Sequence, residues 1–104
     1  MSAKEYIAAY EHMTEKQKDI MEKLWWSAVN HDCHAWVKET EVRIALNDLF
    51  WNMRTEELPI VNELFKETKE YEGSRCVTYG ALEKAVGQIV LGRCENGRKP
   101  DTHV

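Results

Sequence analysis

Residues Ile20, Met21, Leu24, Trp25 and Ala28 recur at the spacing of one helix face directly behind Thr14-Glu15-Lys16-Gln17. A polar pair at the first and fourth of those positions satisfies helix-start amides reciprocally, so the segment predicts a capped amphipathic helix. The same period returns in Val42, Ala45, Leu46, Leu49, Phe50 and Met53, in Ile60, Val61, Leu64 and Phe65, and in Leu82, Ala85, Val86, Ile89 and Val90. These stripes predict helices over about 35–53, 56–71 and 79–91, and Ser2-Ala3-Lys4-Glu5 predicts a further one over about 3–12. Asn30-His31-Asp32-Cys33 breaks the pattern as a turn, Thr55 and Pro59 mark a helix start, and Gly73 and Gly92 mark helix ends. Strand-like alternation is missing, no internal repeat is legible, and only Arg75–Tyr79 admits a short extended stretch. The expected fold is therefore all-α: a compact bundle of four to five short, mostly antiparallel helices. A single helical domain over residues 1–94 is expected, followed by a mobile polar tail over 95–104.

The remaining composition narrows the function classes. With 104 residues, 43% of them hydrophobic and four of them Trp, the chain can bury a core without a disulfide framework. A formal charge of −4 argues against broad binding to nucleic acid or anionic lipid, which needs a basic footprint. Cys33, Cys76 and Cys94 form an odd, sparse set that suits reduced thiols. No segment approaches the ~20 apolar residues of a membrane helix, so no membrane contact and a cytoplasmic location are expected.

Val37, Ile44 and Trp51 fall almost opposite the core stripe of the helix predicted over 35–53, and Trp26 is displaced in the same way from the stripe before it. Together Trp26, Val37, Ile44 and Trp51 predict an aromatic contact patch, either a surface for a protein partner or a homodimer seam. The alternative is a central helix covered on both sides by its neighbours.

Arg75-Cys76-Val77-Thr78-Tyr79-Gly80-Ala81-Leu82-Glu83-Lys84-Ala85-Val86-Gly87 resembles the opening of the helix-turn-helix segment in O6-alkylguanine-DNA alkyltransferases and alkyltransferase-like proteins. In that family a similar V-T-Y-G-x-L-x-K-A-x-G stretch begins a DNA-binding element. The resemblance implies a DNA-binding regulator built on residues 78–92, with Thr78 and Tyr79 in its motif, and the concentrated basic patch beside it, Arg93, Arg98 and Lys99, would supply the remaining nucleic-acid contacts. The family's Pro-Cys-His-Arg motif is absent, and Gln88–Pro100 is too short for a recognition helix followed by an active site. No catalytic residue carries over, and Cys94 is not assigned as an alkyl acceptor.

His31-Asp32-Cys33-His34 brings together side chains that bind transition metals, but all of them crowd into one turn. A capped polar turn with one buried thiol is the simpler reading, so no metal and no cofactor are assigned. There is no nucleophile elbow, no phosphate-cradling glycine loop and no Cys/His pair in a recognisable context. The expectation is a small non-enzymatic interaction module, a regulator or inhibitor that occludes a partner protein, of the kind phages and mobile elements encode. Nucleic acid is the less favoured partner.

Overall fold

The computed structural model describes residues 8–50 and 52–98. The capping box at residues 2–5, Trp51, Lys99 and the tail from residue 99 onward lie outside them. Residues 8–11 are helical (α1), followed by α2 (Glu15–Ser27), β1 (Val29–His31), β2 (His34–Lys38), α3 (Glu39–Leu49), a 3-10 turn (Thr55–Glu57), α4 (Leu58–Lys66), β3 (Lys69–Tyr71), β4 (Ser74–Thr78) and α5 (Tyr79–Arg98). Among the described residues, no helix is long and apolar enough to cross a membrane.

The strands correct the all-α expectation: the molecule is α+β, with a four-stranded antiparallel sheet in the order β1-β2-β4-β3. Residues 35–38, expected to open a helix, are the inner strand β2, and the helix expected to reach Tyr71 stops at Lys66. Backbone geometry at two tight loops explains both differences. Asp32 and Cys33 have φ of 53° and 63°, and Glu72 and Gly73 have φ of 51° and 81°. Two consecutive positive φ values reverse the chain in the twist sense that two antiparallel strands require, so each pair closes a hairpin. Strands of three to five residues are also too short to show alternation in a sequence otherwise dominated by helical stripes.

The hairpins reveal a duplication that the sequence conceals. Val29–His31 recurs as Lys69–Tyr71, and His34–Lys38 as Ser74–Thr78, each 40 positions on. The helix starts correspond as well. Thr14 and Gln17 form a capping box at α2, and before α4 Glu57 reproduces its return half, accepting from the Arg54 amide at 2.9 Å. Between β2 and β4 the partners are Trp36 with Thr78, Val37 with Val77, and Lys38 with Cys76. Exchanging the two halves leaves Val37–Val77 in place, so a pseudo-twofold axis passes through that pair. Identical residues survive at Ile20/Ile60, Leu24/Leu64, Val37/Val77 and Ala45/Ala85, all of them buried or packed against the core.

The helices cover one face of the sheet. Val37 and Val77 project into a core with Met21, Leu24, Val42, Leu46, Leu49, Phe50, Leu64, Leu82, Val86 and Ile89. The stripes predicted for α3 and α5 are buried in this way, Met53 in part. Trp36 and Cys76 belong to the opposite face: they are buried, yet separate from that core. There Trp36 stacks obliquely on Tyr71 at 4.9 Å between centroids, and its indole N–H donates to the His31 carbonyl at 2.9 Å. Burial pushes the Cys76 thiol up from its ordinary range, which disfavours the reactive thiolate.

Candidate functional site

The predicted patch does not assemble as one face. Trp26 is 76% exposed on α2 and Ile44 is 65% exposed on α3, whereas Val37 is 1% exposed in the sheet. Helical spacing placed Val37 beside Ile44, but Val37 lies in β2, where side chains alternate across the sheet. Trp51 is outside the described residues. Ile44 instead lines a shallow groove of about 460 Å³ between α2 and α3, with Ile20, Lys23 and Asp48. Its pseudo-twofold image between α4 and α5 has shrunk to about 90 Å³.

The residues implied by the alkyltransferase resemblance are mostly committed to the fold. The Thr78 hydroxyl accepts from the Ala81 amide at 3.1 Å and so caps α5. Tyr79 is buried and donates its hydroxyl to the Met21 carbonyl at 3.0 Å. Arg93 grips Glu57 with Nε and Nη2, at 2.6 and 2.8 Å, and its guanidinium carbon lies 5.1 Å from the Phe50 ring centroid. Burial by itself would raise the Glu57 carboxyl, but the hydrogen bonds from Arg93 and from the Arg54 amide outweigh it and hold the group below its ordinary range. Arg98 ends α5. Lys99 is not among the described residues.

At the β1–β2 turn, His34 Nδ1 lies 2.6 Å from the Asp32 carbonyl oxygen, and the His31 ring meets the Tyr71 ring edge-on at 4.4 Å. The Cys33 thiol, expected to be buried, is exposed. Among the described residues, no group of three or more His, Cys, Asp or Glu side chains is arranged to hold a metal ion.

A larger concavity than these grooves lies along α2. It is a groove of about 640 Å³ whose floor is Met21 and Tyr79 and whose walls include Tyr10 and Trp25. Trp25, expected in the core, is 49% exposed here, with its ring edge-on to Tyr79 at 5.1 Å. It has moved to the rim because Tyr79, arriving from the other half, occupies the position beneath it. Among the described residues, four carboxylates line the same groove, Glu15, Asp19, Glu22 and Glu83, against a single cation, Lys18. Lys18 is 3.6 Å from Glu15 and its ammonium lies 4.8 Å from the Tyr10 ring centroid, while Asp19 pairs with Lys23 at 3.1 Å.

Glu22 and Glu83 have no cationic partner among the described residues. Burial pushes the Glu83 carboxyl up from its ordinary range. The groove thus presents exposed aromatic surface and net negative charge side by side, which suits a positively charged ligand with an apolar component. In the sequence Glu83 is one polar residue on a long helix; what makes it a groove residue is its proximity to α2.

No family model matches the sequence. Neither a curated protein nor a solved structure matches it.

Proposed function

We propose that this protein is a non-enzymatic interaction module that captures a basic, partly apolar segment of another protein in the groove along α2. The observation that supports this reading is the pairing of half-exposed Trp25 with a rim of four carboxylates over an apolar floor. An exposed Trp supplies large contact area with little side-chain entropy to lose, and fixed opposite charge steers the encounter and rejects acidic competitors. The module acts by occupancy, covering the captured segment.

Titrating the protein with an amphipathic peptide of Leu, Ala and Lys, followed by Trp fluorescence and calorimetry, tests this. Binding is expected to weaken with added salt, to be lost in Trp25→Ala, and to be absent for the same peptide with Glu in place of Lys. No binding, or equal binding by Trp25→Ala, overturns the reading.

A further inference from the structure

The pseudo-twofold axis supplies an internal control for the groove, because each of its residues has a counterpart 40 positions away. Trp25 corresponds to Phe65, and Glu83 corresponds to Arg43. At the equivalent place on α4 the guanidinium carbon of Arg43, from α3, lies 4.2 Å from the Phe65 ring centroid, within cation–π range, and its Nε and Nη2 donate to Glu39 at 2.9 and 2.7 Å. The aromatic shelf of the second half is thus already occupied by an arginine of the chain itself. In the first half the residue at that position is an acid, and no cation lies over Trp25 among the described residues.

The rest of the rim has diverged in the same direction. Glu15, Asp19 and Glu22 have the counterparts Thr55, Pro59 and Asn62, so these three rim carboxylates occur only in the first half, whereas Glu39 at the second site is already paired with Arg43. Among the described residues, the Lys18 ammonium lies over the Tyr10 end of the groove and no cation lies over the Trp25 ring.

Resting on the reading above, we propose that the groove receives an arginine side chain of the partner protein, stacked on Trp25 and paired with Glu83 and Glu22. The partner's guanidinium would complete in the first half the contact that Arg43 makes in the second. Arginine suits the shelf better than lysine because its planar guanidinium stacks on a ring and reaches a carboxylate with two parallel donors, whereas an ammonium is a strongly hydrated point charge. Trp is also the best aromatic partner for a cation.

The test compares amphipathic peptides of Leu and Ala carrying Arg, Lys or citrulline at the same positions, titrated calorimetrically against wild type, Glu83→Gln and Glu83→Arg. The Arg peptide should bind wild type about tenfold more tightly than the Lys peptide, and the citrulline peptide should bind more weakly still. Glu83→Gln should lose about tenfold in affinity for the Arg peptide. Glu83→Arg should abolish binding with its circular dichroism and melting unchanged, because it places a cation over Trp25 as Arg43 is placed over Phe65. If Glu83→Arg does not fold, Glu83→Gln and the citrulline peptide carry the same comparison. Equal affinity of the Arg and Lys peptides, or undiminished binding by a folded Glu83→Arg, overturns the arginine proposal and leaves the basic-segment reading standing. Failure of both cationic peptides to bind overturns that reading and this proposal together.

Discussion

The two halves share one backbone plan and differ in what they do with their polar positions. Around α4 the charges are closed on themselves: Glu57 pairs with Arg93, and Arg43 of α3 with Glu39 and the Phe65 ring. In the first half the corresponding cap is the neutral Gln17, whose amide donates to the Leu49 carbonyl at 2.9 Å, and the acids along α2 face solvent across an open groove. The grooves between helix pairs follow suit, about 460 Å³ in the first half and about 90 Å³ in the second. Satisfied, partly buried charge pairs fix a structure, whereas unpaired charge beside exposed aromatic surface leaves free energy to be gained on binding. On the proposed reading, the pseudo-twofold therefore separates a site around α4 that stabilises the fold from a groove along α2 that recognises a partner.

The sharpest way to break this comparison is to remove the two caps separately. Glu57 is 5% exposed, and truncating it strands the Arg93 guanidinium, so Glu57→Ala should cost about 3 kcal/mol. Gln17→Ala removes neutral hydrogen bonds and should cost about 1 kcal/mol. Urea unfolding reads both, and equal losses would contradict the contrast. The Glu57 contribution also has a definite pH sign. Its carboxyl titrates below the ordinary value near 4.5, so the stability it adds is present above that value and disappears as the pH falls through the folded-state one. The gap between wild type and Glu57→Gln should accordingly close in acid.

Next in size come the residues on the axis. Val37→Ala and Val77→Ala each remove a buried side chain from paired, equivalent positions and should each cost about 2 kcal/mol. Because the two touch, the double variant should deviate from additivity. A large difference between the single variants would show that the symmetry is geometric and not energetic.

The hairpin turns should show a smaller contrast. Gly73 has φ +81° with open space around the position a Cβ would take, so Gly73→Ala should cost about 1 kcal/mol through backbone strain alone. Cys33 carries that strain already at φ 63°, and Cys33→Gly should stabilise the first half by up to about 1 kcal/mol.

The smallest effect is at Glu83. Burial raises its carboxyl, so the folded state holds a proton more readily than the unfolded chain, and this group's contribution to stability grows as the pH falls through the window between the two values. Glu83→Gln should therefore melt slightly higher than wild type at neutral pH, by a few tenths of a kcal/mol, and the difference should fade in acid. A gain in stability accompanied by a loss of binding would mark the carboxylate as kept for recognition.

Periodicity alone located the buried stripes of α3 and α5, and the Thr14–Gln17 cap was legible because its partners are three residues apart. Such features depend on neighbours along the chain. The tertiary structure decided the rest. Pairing β2 with β4 brings Val37 against Val77, a contact between residues 40 positions apart, and nothing in either short strand announces its partner. That pairing turned an expected helix start into a strand, moved Val37 from a supposed contact patch into the core, and exposed a duplication hidden by near-complete divergence outside the buried positions. It also set Tyr79 beneath Trp25 and Glu83 beside α2. Local hydrogen bonding and side-chain spacing fix elements, so a sequence displays them; which faces are covered depends on elements distant in sequence, so the groove appears only when the two halves meet.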